Sequence, residues 1–204
     1  MPERLLITPT LLNSWQRIWD APLSVRERES DEACIEDRRD EAAKKAKEEF
    51  LSTLRREPFP DNEFMAEGRR FEQACYDGET EFSPIIEGGQ FQAAGSKKAE
   101  IAGQPYLLYG RLDVLKAGVI YDIKRVVRYS PGKYRTSHQH GIYLTLFPEA
   151  KRFEYLIWDG AKAHVEAYLP CECRDEAAAI ADFARWLKAN GLWETYEANW
   201  KCKH

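Results

Sequence analysis

Two acids and a base in the stretch 109–125, Asp113, Asp122 and Lys124, have the types and spacing that point to cation chemistry. The stretch reads as two β-rich runs joined at Ala117-Gly118. A two- or four-residue loop centred on those residues places Asp113 directly across from Asp122, whereas a three-residue loop or a bulge breaks that register. Two carboxylates about 5 Å apart repel by roughly 3 kcal/mol at an effective dielectric of about 20, so a facing pair needs a compensating charge. A divalent cation that accepts oxygen ligands, Mg²⁺ or Mn²⁺, supplies one. Strand alternation puts Lys124 on the face of Asp122 and opposite Arg111, so one face carries two acids and two bases. A solvated outer face laced with cross-strand salt bridges produces the same pattern.

Beyond Asp122 the chain carries no acid for 26 residues, yet that interval holds Lys124, Arg125, Arg128, Lys133 and Arg135. Five positive charges in a chain of net charge −4 mark a local site for a polyanion. Tyr129 and Tyr134, interleaved with them, are expected to stack on bases. An ordinary basic loop has the same composition. A pI near 5.7 excludes a surface coated in positive charge for indiscriminate nucleic-acid binding.

The elements that must position these residues follow from periodicity and punctuation. Residues 8–19 read as a helix capped by Thr8, with Pro9 in its first turn and Leu11, Leu12, Trp15, Ile18 and Trp19 on a core-facing side. Residues 26–57 are mixed in charge with sparse apolar positions (Ile35, Phe50, Leu51, Leu54), which suggests a solvated helix or an exposed arm. A helix over 63–77 places Phe64, Phe71, Ala74 and Cys75 together and stops at Gly78. Runs at 81–86, 90–94, 97–101, 106–115 and 119–127 read as an antiparallel meander. A helix over 136–147 ends at Pro148, a hairpin pairs 152–158 with 163–169 about Asp159-Gly160, and an amphipathic helix over 175–189 ends at Asn190-Gly191. The expected class is α+β, a mixed and mostly antiparallel sheet flanked by helices in a single domain.

With 31% charged and 44% hydrophobic residues, the 204-residue chain is neither disordered nor collagen-like. No apolar run approaches the roughly 18 to 20 residues of a membrane span, and Met1-Pro2-Glu3-Arg4 precedes too short an apolar stretch for a signal peptide. Five cysteines, Cys34, Cys75, Cys171, Cys173 and Cys202, are an odd number without framework spacing, so free thiols in a reducing, cytoplasmic setting are expected.

Gly110-Arg111-Leu112-Asp113, followed by Asp122-Ile123-Lys124, resembles the core signature of the PD-(D/E)XK nuclease superfamily. Upstream, Gly68-Arg69-Arg70-Phe71-Glu72 resembles the Gly-x-x-x-Glu helix of lambda-exonuclease-like members. Downstream, Gln139 and Tyr143 resemble the Gln-Tyr motif of RecB-type nucleases, and the opening 8–15 is similar to the start of such domains. Leu112 stands where the name-giving Pro would be, and Asp122 replaces the commoner Glu.

The resemblance implies a restriction-endonuclease-like core and a Mg²⁺-dependent DNA nuclease, more exonuclease than restriction enzyme, working in DNA repair, recombination or phage-type processing. It implies that Glu72, Asp113, Asp122 and the carbonyl of Ile123 hold one or two Mg²⁺ or Mn²⁺ ions, with the catalytic Lys124 positioning the attacking water or steadying the pentacovalent oxygens. Glu67 competes with Glu72 but lies on another helix face. Gln139 and Tyr143, four residues apart, share a helix face from which they reach DNA, or else form a buried hydrogen bond within the core. His138 and His140 are expected at the surface or on phosphate, and His164 and His204 lack ligand spacing. The iron–sulfur subgroup would need Cys34 or Cys75 with Cys171, Cys173 and Cys202, but the Cys-x-Cys spacing does not fit and no cluster is expected. A catalytically silent DNA- or partner-binding module on the same fold is the alternative.

Overall fold

The computed structural model describes residues 4–25, 32–58 and 61–202. In chain order the elements are β1 (Leu5–Ile7), α1 (Pro9–Leu23), α2 (Glu32–Leu54), α3 (Glu63–Tyr76), α4 (Ser83–Ile86), β2 (Gln90–Phe91), β3 (Ala94–Ile101) and β4 (Gln104–Arg111). They continue as β5 (Val114–Lys116), β6 (Val119–Arg125), α5 (His138–Leu146), β7 (Arg152–Trp158), β8 (Ala163–Tyr168), α6 (Glu176–Ala189) and α7 (Trp193–Trp200). The strands form a three-stranded sheet, β1-β4-β3, and a five-stranded one, β2-β5-β6-β7-β8, in which only β6 and β7 run parallel. This is the α+β class expected from the sequence.

The chain divides into two compact units. One comprises Met1–Phe59, Lys98–Leu107 and Ala177–His204. Thr8 caps α1 by accepting from Leu11 N–H at 3.2 Å, and Pro9 takes the first-turn position where its missing N–H costs nothing. Leu11, Leu12 and Trp15 are buried, whereas Trp19, expected in the core, is 41% exposed, its ring set steeply against those of Trp15 and Trp186. The charged segment is a helix with a dry stripe: Ile35, Ala46, Phe50 and Leu54 of α2 are buried, so this part of the chain is no free arm. The sparse apolar residues recur every four positions at its C-terminal end, which puts them on one face. Residues 26–31 of that segment lie outside the described residues, as does His204. Neither β1 nor α7 was evident from the sequence. Both are secured by long-range bonds, Tyr196 O–H to Leu6 O and Trp200 Nε1–H to Leu54 O, each 2.9 Å.

The second unit comprises Pro60–Lys97 and Leu108–Glu176 and contains the five-stranded sheet. Alternation along its central strands builds two cores. Ile120 of β6 and Phe153, Tyr155 and Ile157 of β7 pack with Tyr143, Leu144 and Phe147 from α5 and the residue following it. Tyr121 and Ile123 of β6 and Leu156 of β7 pack with Cys75 of α3 and Ile86 of α4. The helices α5 and α3 therefore cover opposite faces. Three expectations need correction. The run 81–86 contains α4 instead of a strand, because Pro84 donates nothing to a ladder and fits a first helical turn. Phe64 is 46% exposed, beyond the reach of the core-facing side of α3. The expected meander is split between two sheets, because the β5–β6 ladder ends at the Val114–Tyr121 pair.

Phe50 is completely buried and edge-on to Phe183 and Trp186. Phe50→Ala should cost about 3–5 kcal/mol in urea unfolding, against less than ~0.5 kcal/mol for the exposed Lys45→Ala.

Candidate active site

The β5–β6 hairpin closes through Ala117 and Gly118, both at positive φ (50° and 78°), the two-residue turn whose twist suits the flanking strands. Val114 pairs with Tyr121, Leu115 with Ile120 and Lys116 with Val119. This is the register expected from the spacing, and it directs Asp113 and Asp122 toward each other. The ladder stops one pair short of them. There the chain turns aside: Leu112 N–H donates to Ala93 O at 3.0 Å and Gln92 N–H to Asp113 O at 2.8 Å. Asp113 instead reaches across with its side chain, Oδ2 accepting from Ile123 N–H at 2.9 Å. Arg111 thus belongs to β4, is exposed, and does not pair with Lys124 as expected.

Asp122 is 1% exposed, which excludes the solvated-face reading of the hairpin. Its Oδ1 accepts from Gln139 Nε2–H of α5, and its Oδ2 lies 2.6 Å from Lys124 Nζ. Alternation does place Lys124 on the Asp122 face. Burial and the neighbouring charge of Asp122 push the Asp113 carboxyl up to about 8, despite Lys124 and the Ile123 amide. Asp122 is raised as well, chiefly by burial, with Lys124 and Gln139 opposing. Burial works against the Lys124 ammonium, yet Asp122 and Asp113 together outweigh it and hold its pKa above the usual value. The charge of Glu72 adds to the upward push on both aspartates, which places α3's carboxylate within electrostatic reach.

Glu72 is bound on its own side. Its Oε1 accepts from Tyr76 O–H at 2.6 Å and from Gln92 Nε2–H at 2.8 Å, and Gln92 also donates to the Tyr76 oxygen at 2.9 Å. Gln92 therefore ties the helix acid to the strand acid, with its side chain on Glu72 and its N–H on the Asp113 carbonyl. It does so at φ 52°, a strained conformation for a residue with a Cβ and one that functional sites often retain. Sequence reasoning missed both partners. Tyr76 was findable, four residues after Glu72 on one helix face; Gln92 had no local signal.

Other expected contacts resolve differently. Gln139 and Tyr143 both turn inward: Gln139 to Asp122, and Tyr143, 6% exposed, donating its O–H to Arg111 O at 2.8 Å. The Tyr143 ring explains Gly110, since a Cβ there would collide with Tyr143 Cε1. Tyr129 and Tyr134 are not free to stack on bases. Tyr129 O–H and Tyr134 N–H both donate to Glu166, at 2.9 and 3.1 Å, and the Tyr134 ring stacks on Tyr155 at 4.3 Å. Arg128, Lys133 and Arg135 are exposed on the same loop. Arg125 Nη1–H donates to Val126 O, and its guanidinium lies 3.9 Å from Glu67, the rival helix acid. His138 and His140, expected at the surface, are buried. His138 sits 2.7 Å from Glu176 and 3.1 Å from Arg174, and His140, held down to about 4 by burial, stacks on Tyr168. His164 pairs with Asp159 at 2.8 Å.

Among the described residues, no three carboxylate, imidazole or thiol groups stand close enough to hold a metal ion as they are oriented. Lys124, Gln139, Tyr76 and Gln92 engage the carboxylates instead. The fit to a metal lies in donor chemistry and charge. The set is all hard oxygen, and its two aspartates are driven toward protonation first by desolvation and then by neighbouring carboxylate charge, which one ammonium only partly opposes. Cys75, Cys171, Cys173 and Cys202 are free thiols, and the Cys34 side chain lies outside the described residues.

No protein-family model and no curated protein matches the chain. Among solved structures, it is similar in fold to the crystal structure of SSO0001, with a TM-score of 0.54 and 16% identity over 92% of this chain and 78% of that one. A second similarity, at TM-score 0.38 and 11% identity over 97% and 84%, is to a protein of Eubacterium rectale whose name assigns it provisionally to the exonucleases. No described helix is long and apolar enough to cross a membrane.

Because Asp113 has a folded pKa near 8, above its unfolded value near 4, the folded state holds the extra proton between those limits. That contribution to stability is complete below about pH 4 and is lost as pH rises toward 8. Asp113→Asn should therefore raise stability at pH 8 by about 1–3 kcal/mol and leave it nearly unchanged at pH 4. Denaturant melts at the two pH values check this.

Proposed function

We propose that this chain is a Mg²⁺- or Mn²⁺-dependent DNA nuclease of the PD-(D/E)XK type, closer to the RecB and lambda exonucleases than to restriction enzymes. A role in DNA repair, recombination or phage-type processing belongs to this reading. The observation that carries it is buried Asp122 and half-buried Asp113 brought together beside Lys124 at the open end of the β5–β6 hairpin, with Glu72 within electrostatic reach.

Glu72, Asp113, Asp122 and the Ile123 carbonyl would hold the metal. When bound, the ion makes water more acidic and neutralises charge that builds on the scissile phosphate. Lys124 orients the attacking water or steadies the phosphate oxygens, and its raised pKa keeps it an ammonium for that task. Gln139 fixes the Asp122 carboxylate, and Tyr143 fixes the β4 backbone at Arg111. Arg111, Arg128, Lys133 and Arg135 offer exposed charge to the DNA backbone, with Arg125 behind them.

A second reading, a catalytically silent DNA- or partner-binding module, is favoured by one observation: the carboxylates stand apart, each already paired with a protein group. Incubating single- and double-stranded DNA with the protein and Mg²⁺ or Mn²⁺ separates the two. Cleavage should occur, stop with EDTA, fall about 10²- to 10⁴-fold in Lys124→Ala, and fall at least as far in Asp113→Asn. Retention of DNA without metal-dependent cleavage supports the silent module. Activity that persists in both variants rejects the site.

DNA binding should weaken steeply between about 50 and 200 mM salt, and replacing Arg128, Lys133 and Arg135 together should flatten the slope by roughly three contacts. Filter binding across a salt series reads it directly.

A further inference from the structure

A cavity of about 460 Å³ lies beside α3 and α4, bordered by Tyr76, Asp77, Thr80, Ser83, Glu87 and Phe91. Its volume falls in the range of small-ligand pockets. Tyr76 joins it to the acidic site, because this lining residue donates its hydroxyl to Glu72 at 2.6 Å. That ring meets the Phe91 ring edge-on at a centroid separation of 5.0 Å. Phe91 sits on the two-residue edge strand β2 and is 42% exposed, so part of this aromatic side chain is available to a ligand.

The charge of the wall selects what enters. Two carboxylates, Asp77 and Glu87, border the cavity, and among the described residues lining it there is no cation. A phosphate is repelled there, whereas a neutral ring bearing N–H donors is matched by the carboxylates and by the aromatic surfaces. Lys116, behind α4, donates to the Ile85 carbonyl at 2.7 Å, and Arg128, Lys133 and Arg135 are exposed on the loop between β6 and α5.

We propose that this cavity takes the nucleobase adjoining the phosphodiester bond held at Asp113, Asp122 and Lys124, stacking it on Phe91 with Tyr76 edge-on and its N–H groups toward Asp77 or Glu87. This rests on the nuclease reading. Glu72, bonded to Tyr76, then links base occupancy to the acid that faces the reacting phosphate.

The full chain, with Ca²⁺ in place of Mg²⁺ to prevent turnover, is titrated into a single-stranded oligonucleotide carrying 2-aminopurine at its terminus. Quenching of the probe is expected, with affinity about ten-fold lower for Phe91→Ala and preserved for Phe91→Tyr, both checked for folding by their thermal melts. An abasic residue at the same position should cost the wild-type chain the same factor and cost Phe91→Ala nothing further. An unquenched probe, or equal abasic losses in both proteins, overturns the proposal. Mg²⁺-dependent cleavage without quenching rejects the pocket alone. Quenching without any cleavage rejects the nuclease reading and supports the pocket.

Discussion

Two carboxylates of like charge, half-buried Asp113 and fully buried Asp122, gather around a single ammonium, and the second unit of this protein is arranged to tolerate that. Left alone, such a pair would expel one charge by taking up a proton, which is the direction both groups are pushed. The fold opposes this with Lys124 at 2.6 Å, an amide from Ile123 and the Gln139 side chain. None of these would be in place without α5 against one face of the sheet and the turn that brings β6 back beside β5.

The remaining contacts serve to keep those groups aligned. Gly110 leaves room for the Tyr143 ring, whose hydroxyl pins the carbonyl of Arg111 just before the chain breaks from its ladder. Gln92 holds Glu72 and the Asp113 backbone in one grip, at a cost in backbone strain. Glu166 draws Tyr129 and Tyr134 inward, leaving Arg128, Lys133 and Arg135 as the solvent-facing part of the loop. The cost of holding the acidic pair together is opposed by the hydrogen bonds around it.

Much of this was legible locally. The hairpin register was one of those open to a turn centred on Ala117-Gly118, the observed two-residue turn selects it, and alternation put Lys124 beside Asp122. The helices at α1, α3, α5 and α6 followed from caps and apolar spacing. What misled were residues whose role depends on a partner far along the chain. Tyr129, Tyr134, His138 and His140 look like polar ligand-binding residues by type, yet each is satisfied by a group more than ten residues away.

The sequence by itself determined which acids and bases share a strand or a helix face, since alternation and helical pitch act within a few residues. It also determined the α+β class and the excess of positive charge between Asp122 and Glu149. Only the tertiary structure decided that Arg111 leaves the ladder, that Gln92 bridges Glu72 to Asp113, and that the tyrosines of the basic loop point to Glu166. Those outcomes depend on which distant groups can meet the desolvation of a buried polar atom, and the chain specifies that only once it is packed.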